Sequence, residues 1–229
     1  MNLLNFFQRI DDYISYLSNN TLNEKLLLIK FLNKNISLID TGSNYGSYIK
    51  FVQKNFSIDK AFIFEPSKKN YRYLKKEFKG SKFLIKPYAT SNKMCKRKFY
   101  EYQISSMSSF YPNLKIYDSF NKKKKKYLVK VVKLDNVIDS NKIDLCKIDV
   151  QGEDLNTLKG MKNLLKNNKI KLLKIELSFE DLYNKNNNWI SIINFLNKYR
   201  YNLIGITKIK YKNLKIIFMD CYFISSSYY

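Results

Sequence analysis

The chain has 229 residues, of which 45% are hydrophobic, and its formal net charge at pH 7 is +23. This length suits a single domain that buries a sizeable core. No apolar run of about 18 uncharged residues occurs, so no membrane span is predicted.

The N-terminal residues and the cysteines indicate the cellular compartment of the protein. Residues 1–10 carry Asn, Gln and Arg among apolar residues and lack a small-residue cleavage site, which argues against a signal peptide. Cys95, Cys146 and Cys221 are odd in number and show no C-x-x-C spacing. The sequence therefore predicts a reduced, cytoplasmic setting without a zinc framework.

The positive charge allows two interpretations. It suggests a polyanion-facing surface, but only four of the 42 basic residues are Arg, and Lys, Asn, Ile and Tyr are abundant, as in proteins of A/T-rich genomes. The lysines then simply occupy solvated faces. The shortage of Arg counts against nucleic acid, because bidentate contacts to bases and phosphates prefer its planar fork.

Two helices are predicted before the first core strand. Apolar residues recur with a period near 3.6 over residues 3–17. Thr21 and Glu24 resemble a capping box that opens a second helix ending near Asn33. Residues 1–34 are therefore expected to form a helical extension that covers a sheet edge or a ligand mouth, with a dimer contact as the alternative.

A strand, a glycine loop and a helix follow. Residues 36–40 form a short apolar run that ends in Asp40, Gly42 and Gly46 mark the loop, and a helical pattern covers 44–54. This is the opening unit of a Rossmann-like sheet. Glycines in this loop allow a ligand to approach the backbone closely.

The loop residues indicate the kind of ligand. An acid precedes glycines spaced four apart, D-x-G-x-N-x-G, and Asp40 would repel a pyrophosphate but favour a cationic group. A second strand, 61–65, ends in Glu65 about 20 residues after Gly42, where an acid hydrogen-bonds a ribose diol. An adenosine-based cationic cofactor is expected, and S-adenosylmethionine fits that description.

The rest of the chain alternates strands and helices, which predicts a mostly parallel sheet covered by helices on both faces. With an antiparallel last strand, the predicted sheet has seven strands. The predicted helices are 67–78, 155–165 and 188–199; the predicted strands are 83–85, 143–150, 170–177, 202–206 and 214–224, with 97–102 and 127–134 as edge strands of an insert over 97–134, and a turn at 87–90.

Five separated motifs together resemble the FkbM-type S-adenosylmethionine-dependent methyltransferases, over about residues 36–178. They are Asp40-Thr41-Gly42-Ser43-Asn44-Tyr45-Gly46, Phe64-Glu65-Pro66, Lys133-Leu134-Asp135, Lys147-Ile148-Asp149-Val150-Gln151-Gly152 and Ile175-Glu176. The resemblance implies a class I methyltransferase that acts on a small hydroxylated acceptor, such as a sugar of a glycan. It also implies a cofactor site made of Asp40, Gly42, Ser43, Asn44, Gly46, Glu65, Pro66, Ala89 and Asp149.

Four acids, Asp40, Glu65, Asp149 and Glu176, lie at or near predicted strand ends and should converge on one crevice. The chain contains no His, so a carboxylate, a Lys, a Tyr or a metal-bound group must act as general base. Asp149 is the first candidate and Glu176 the second. Lys147 either holds Asp149 ionised, steers an acidic acceptor, or forms a structural ion pair.

Other acids near these strand ends receive lesser roles. Glu153 and Asp154 are expected to add only an N-terminal helix charge, and they replace the Ala-Glu that the family commonly has after the glycine. A divalent ion on Asp135, Asp149 and Glu176 is conceivable. Nothing in the spacing requires it, so no metal is predicted.

The insert holds two conspicuous segments. The serines of 105–109 should fold over the active-site mouth and help to select the acceptor, or they form a polar loop without a role. The run 122–126 consists of five lysines and is predicted to be a solvated loop, with electrostatic capture of an anionic acceptor as the alternative. An RNA methyltransferase and an inactive basic binding module remain rival functions.

Overall fold

Two β-sheets and the helices packed on them form the structure. This computed structural model describes residues 22–112, 122–179 and 189–229. The strands are β1 (Asn35–Thr41), β2 (Ser57–Phe64), β3 (Phe83–Lys86), β4 (Tyr88–Thr90), β5 (Cys95–Tyr102), β6 (Lys123–Val132), β7 (Ile143–Ile148), β8 (Ile170–Ser178), β9 (Tyr201–Lys212) and β10 (Lys215–Ser225). The α-helices are α1 (Glu24–Phe31), α2 (Ser47–Gln53), α3 (Lys68–Glu77), α4 (Asp154–Lys159), α5 (Lys162–Lys166) and α6 (Trp189–Lys198).

The large sheet contains seven strands in the order β3-β2-β1-β7-β8-β10-β9. The first five of these pair in parallel, whereas β10 is antiparallel to both β8 and β9. The strand order reverses between β1 and β7, and a crevice opens beyond the carboxyl ends of strands at such a point. The predicted mostly parallel seven-stranded sheet with an antiparallel last strand is confirmed.

Apolar side chains cover both faces of the large sheet. Successive residues of a strand point to opposite faces. Accordingly, Leu38 packs with Ile49 of α2 and Leu74 of α3, whereas its neighbour Ile39 packs with Leu158 of α4. All five side chains are fully buried, and each burial of this kind contributes about 1.5–3 kcal/mol.

Helix α1 lies against the large sheet. The side chain of Asn23 caps the helix by accepting a hydrogen bond from the backbone of Leu26, and Glu24 forms an ion pair of 2.6 Å with Lys174 of β8. A second N-terminal helix, ending near Asn33, was predicted here. The helix predicted over 3–17 lies outside the described residues, and the single-domain organisation remains a prediction.

The small sheet has the order β4-β6-β5 and changes the prediction for the lysine run. A loop was predicted over 122–126, and this is wrong from Lys123 onward, because β6 begins there and pairs antiparallel with β5. Glu101 of β5 lies opposite Lys125 in this register. A strand partner thus supplies backbone hydrogen bonds that the local charge pattern does not reveal.

Two other elements differ from the sequence prediction. The expected turn at 87–90 contains β4, which pairs in parallel with β6. The single helix expected over 155–165 is divided into α4 and α5, which are separated by Gly160 and Met161. A Cβ on Gly160 would collide with the carbonyl oxygen of Ser91, so glycine allows this close approach.

Candidate active site

The loop between β1 and α2 is shaped by left-handed backbone conformations. Gly42, Asn44 and Gly46 have φ angles of 72°, 49° and 74°, which glycine and asparagine adopt more readily than other residues. A Cβ on Gly42 would overlap the carbonyl oxygen of Asp149, and one on Gly46 would overlap the ring of Phe78. The loop is therefore pressed against the end of β7 on one side and against α3 on the other.

A cavity lies beyond the carboxyl ends of β1, β2 and β7. It encloses about 610 Å³ of empty space, including its open mouth. Residues from the glycine loop, from the ends of β2 and β7, from both β4 and β5, and from the serine segment 105–110 line it. These residues are Gly42, Asn44, Glu65, Pro66, Tyr88, Ala89, Thr90, Phe99, Ser105, Ser106, Ser108, Phe110, Asp149, Val150, Gln151 and Glu153.

Glu65 presents a buried carboxyl group to this cavity. One oxygen accepts a hydrogen bond of 2.7 Å from the backbone N–H of Asn44, and the other accepts one of 2.8 Å from that of Ser67. Burial raises the pKa of Glu65 to about 7, and the two backbone donors oppose this rise. Each carboxylate oxygen has a second lone pair, so the group retains capacity for a ligand hydroxyl.

Lys147 is the central cation below the glycine loop. Its Nζ lies 3.3 Å from Oδ1 of Asp40 and 3.4 Å from Oδ2 of Asp149, and it donates a hydrogen bond of 3.1 Å to the carbonyl oxygen of Gly42. Burial alone would lower the pKa of Lys147, but the carboxylates of Asp40 and Asp149 outweigh it and raise this pKa above its ordinary value. The ammonium group therefore remains charged.

Asp40 is fully buried and does not line the cavity. Among the described residues, no donor forms a well-aligned hydrogen bond with either of its carboxylate oxygens. Complete burial raises the pKa of Asp40, and Lys147 opposes that rise. The ion pair with Lys147 is therefore the main compensation for burying this acid.

Asp149 and Glu176 form a pair of nearby acids at the ends of β7 and within β8. Asp149 lines the cavity with its side chain 31% exposed, and its Oδ1 accepts a hydrogen bond of 2.7 Å from Nε2 of Gln151. Glu176 is not a cavity residue. Burial, followed by the negative charges of Asp149 and Asp220, raises the pKa of Glu176 to about 9.

The serine segment is fixed over the cavity by hydrogen bonds. Ser105 donates to the side-chain oxygen of Asn44 at 2.9 Å, and the amide of Asn70 donates to both Asn44 and Ser105. Ser109 donates to the carbonyl oxygen of Gln151 at 2.6 Å. Ser105, Ser106 and Ser108 line the cavity, whereas a role of this segment in selecting the acceptor stays a prediction.

Glu153 has more contacts than the sequence analysis assigned to it. Its side chain is 1% exposed and does not cap α4. It accepts hydrogen bonds from Ser91 at 2.6 Å and from the hydroxyl of Tyr111, and it forms an ion pair of 3.1 Å with Arg97. The expectation of a helix charge alone is wrong, because β5 and the segment after it converge on this acid.

Asp135 and Asp154 hold backbone groups. The two oxygens of Asp135 accept hydrogen bonds from the backbone N–H groups of Asn163 and Leu164 at the start of α5. Asp154 accepts from the backbone of Val150 and Gly152. In the described part of the chain, no group of three or more His, Cys, Asp or Glu residues is arranged to bind a metal ion.

The predicted cofactor residues separate into two sets. Those that line the cavity are Gly42, Asn44, Glu65, Pro66, Ala89 and Asp149, and those that do not are Asp40, Ser43 and Gly46. Ser43 is buried and donates to the carbonyl oxygen of Asp40. Lys147 and Glu176 also lie outside the cavity wall. Of the four acids expected in one crevice, Glu65 and Asp149 line it, whereas Asp40 and Glu176 do not.

Sequence reasoning missed several residues of the cavity wall. These are Tyr88, Thr90, Phe99, Phe110, Val150 and Glu153. Most come from the small sheet and the segment that follows it. Their approach depends on how that sheet packs against the large one, and no local pattern indicates this.

The residues present fit an adenosine-based cationic cofactor. The carboxyl of Glu65 has unused acceptor capacity beside the loop, and Gly42 leaves the backbone of that loop open to the cavity. Aromatic and small apolar side chains, including Phe99 and Ala89, supply walls on which a flat base can pack. Asp149 adds a second negative group.

This fold and site define a class I methyltransferase. The sheet is open and Rossmann-like, and its antiparallel strand β10 is next to the edge strand β9. A glycine loop follows the first strand, and an acid follows the second. The chain belongs to the methyltransferase FkbM domain family, whose model matches residues 40–203. A search of curated proteins found no significant match.

Solved structures share the fold. Methyltransferase FkbM from Methylobacillus flagellatus KT is 15% identical with a TM-score of 0.55, and the match covers 85% of this chain but only 45% of that chain. An rRNA methylase from Streptococcus thermophilus is 8% identical with a TM-score of 0.50, with 88% and 93% covered. At these identities the likeness concerns the fold alone. Within the described residues, every helix is too short or too polar to cross a membrane.

Proposed function

We propose that this protein is an S-adenosylmethionine-dependent O-methyltransferase that acts on a hydroxyl group of a sugar or glycan-like acceptor. The observation that carries the proposal is that Asp149, held by Lys147 and Gln151, lines the same cavity as Glu65 and the glycine loop. A potential proton acceptor and a potential cofactor site therefore share one space.

The cofactor would be held by the residues at the ends of β1 and β2. Glu65 accepts hydrogen bonds from a ribose diol, Gly42 and Asn44 offer their backbone, and Pro66 and Ala89 form part of the wall. When bound, S-adenosylmethionine supplies a methyl group on a positively charged sulfur, which leaves as a neutral thioether. Asp40 acts here as a positioning residue through Lys147.

Asp149 serves as the general base. As the acceptor oxygen forms its bond to the methyl carbon and the carbon–sulfur bond breaks, the hydroxyl proton passes to the Asp149 carboxylate. Lys147 contacts that carboxylate at 3.4 Å, and Gln151 donates a hydrogen bond to it, so both side chains help to fix its position. Burial and the negative charges of Asp149 and Asp220 raise the pKa of Glu176 to about 9, so we expect its carboxyl group to hold a proton at neutral pH.

The composition of the cavity mouth supports a polyhydroxylated acceptor. Ser105, Ser106, Ser108 and the amide of Gln151 lie on its wall, and these groups both donate and accept hydrogen bonds. A sugar ring presents several hydroxyls that match such a surface. This polarity and the proposed carboxylate base support oxygen as the methylated atom.

Labelling experiments test the proposal. Protein is incubated with methyl-labelled S-adenosylmethionine and separate pools of polysaccharide, RNA and lipid, and the label is located. Alkali-stable label in the polysaccharide is expected, with a loss of about 10²-fold or more for Asp149→Asn and no loss for the exposed control Asp139→Asn. Label confined to RNA, or full activity of Asp149→Asn, would contradict the proposal.

Two rival functions have their own readouts. An RNA methyltransferase, suggested by the charge of +23, would bind RNA with an affinity that falls steeply as salt rises. An inactive binding module would show no thermal shift with S-adenosylhomocysteine, whereas a cofactor-binding enzyme gains stability from that ligand.

A further inference from the structure

A second concave surface adjoins the cavity, and we name it the basic groove. It encloses about 1790 Å³ of open space between α3, the start of β6 and the end of β5. Six cationic side chains line it: Lys68, Lys69, Arg72, Lys76, Lys125 and Lys126. All six are exposed to solvent.

The charge of the basic groove is not balanced by acids. Glu101 is the acidic residue on its wall, and that carboxylate already accepts a hydrogen bond of 2.6 Å from Ser67. Within the described chain, none of the six cations forms an ion pair at 4.0 Å or less. Several uncompensated positive charges in one concave surface attract anions over a range of about 8–10 Å at moderate salt.

Tyrosines hold part of this charge in place. Lys69 Nζ lies 5.7 Å from the ring centroid of Tyr45, which meets the ring of Tyr73 edge to face at 5.4 Å. Lys68 Nζ lies 5.3 Å from the ring centroid of Tyr127. These cation–π contacts favour particular positions of the two lysine side chains. Part of the positive charge of the groove is therefore held at defined positions.

The basic groove connects to the cavity through a polar junction. Ser105 lines both spaces, and Asn70 of the groove donates hydrogen bonds of 2.9 Å and 2.7 Å to Asn44 and Ser105. A chain molecule bound in the groove therefore lies next to the space that holds the reacting groups.

We propose that the basic groove binds an acidic glycan chain and thereby delivers one of its sugars to the cavity; this inference rests on the proposed function. The hydroxyl and amide groups at the junction, Ser105, Asn44 and Asn70, suit a polyol. Five of the six cations are Lys, which acts as a point charge and lacks the fork that reads bases and grips phosphates. An acidic glycan, with carboxylates or phosphates spaced along a polyol, matches both features.

Binding of labelled oligosaccharides to the full chain tests this inference. The probes are fluorescent oligogalacturonate, a phosphorylated mannan fragment, a neutral malto-oligosaccharide and oligouridylate of comparable length. The acidic oligosaccharides are expected to bind in a salt-sensitive manner and more tightly than the neutral and RNA probes. The two acidic probes distinguish a carboxylate from a phosphate ligand, and binding of either supports the inference.

A matched pair of variants locates the binding. Lys69→Gln/Lys76→Gln/Lys125→Gln removes three charges from the groove, and Lys166→Gln/Lys210→Gln/Lys212→Gln removes three exposed charges elsewhere. The groove variant should weaken binding about tenfold, whereas the control should change it less than about twofold. Equal losses in both variants would refute the groove, as would preferential, groove-dependent binding of oligouridylate.

The thermal shift with S-adenosylhomocysteine separates this inference from the proposed function. A protein that responds to S-adenosylhomocysteine but binds no acidic oligosaccharide refutes the groove assignment and leaves the methyltransferase proposal intact. A protein that binds acidic oligosaccharides through the groove without responding to S-adenosylhomocysteine supports the groove and contradicts the enzyme.

Discussion

Lys147 and Asp40 are register partners on the adjacent parallel strands β7 and β1, and the ammonium of one lies 3.3 Å from a carboxylate oxygen of the other. Both side chains are buried. The same ammonium contacts Asp149 at the cavity. One interior cation thus stabilises an otherwise uncompensated acid and also connects it to the proposed general base.

Removing Lys147 should therefore destabilise the fold strongly. Lys147→Met leaves Asp40 as a buried charge without its partner, and breaking such a pair costs about 3–5 kcal/mol. Urea denaturation followed by circular dichroism measures the change in the free energy of unfolding.

The control for this variant uses an exposed pair near the same strand. Lys142 lies 3.6 Å from Asp144 with its side chain 50% exposed, so Lys142→Met should cost less than about 1 kcal/mol. Adding Asp40→Asn to Lys147→Met should recover part of the loss, since the unpaired charge is removed. Similar small losses for both single variants would show that the buried pair contributes little.

Gly42 should tolerate no side chain. In Gly42→Ala the methyl group meets the carbonyl oxygen of Asp149, and the φ of 72° is itself unfavourable. The positive φ costs about 1–2 kcal/mol, and the overlap adds about 1–3 kcal/mol. Gly80, with φ of 100° and open space around it, isolates the first cost. Thermal and urea unfolding should show that Gly42→Ala is much less stable than Gly80→Ala. Equal losses of stability in the two variants would show that the glycine loop relaxes freely around the new methyl group.

Local sequence patterns predicted much of the fold, because strands and helices depend largely on the apolar and polar residues within each segment. Short apolar runs that end in an acid, at Asp40 and Asp149, indicated strands β1 and β7 and placed both acids at the end of the sheet where ligands bind. Alternation of strands with helices then indicated parallel pairing. Glu65 was found in the same way, at the end of β2 and on the cavity wall.

The parts that the sequence did not predict depend on which segments become neighbours. Asp40 was expected to face the cofactor, but its register partner on β7 is Lys147, and the ion pair turns its carboxyl into the interior. The lysines from 123 onward form a strand because β5 pairs with them. Glu153 becomes a cavity residue because Arg97 and Tyr111 converge on it from the insert.

Glu65 should control the affinity for the cofactor product. Glu65→Gln removes a charged acceptor, and hydrogen bonds to charged groups contribute about 1.5–3 kcal/mol, so S-adenosylhomocysteine should bind roughly 10–100-fold more weakly. Because the pKa of Glu65 is raised to about 7, the wild-type affinity should also increase as pH rises through that value. Isothermal titration calorimetry measures both effects.

The exposed Asp59 on the same strand gives the control for Glu65. Asp59→Asn should leave the affinity and its pH dependence unchanged. If Glu65→Gln binds S-adenosylhomocysteine as the wild type does, the ribose assignment is wrong, whatever the pH profile shows.

Glu176 should make the free protein less stable as pH rises. Its pKa is raised from an ordinary 4.5 to about 9, first by burial and then by Asp149, so the folded state keeps a proton that the unfolded chain has released. The unfolded state binds fewer protons in this window, and the free energy of unfolding falls between about pH 5 and about pH 9. Glu176→Gln cannot ionise, so its free energy of unfolding should fall clearly less than that of the wild type over that range. Urea denaturation at several pH values measures the two slopes.

The contribution of Glu65 is common to both proteins and cancels in the difference. Glu77→Gln is the control, because Lys50 lowers the pKa of Glu77 and places its titration below this window. Parallel pH profiles for wild type and Glu176→Gln would mean that Glu176 is ionised in the folded protein, and it would then compete with Asp149 as the proton acceptor.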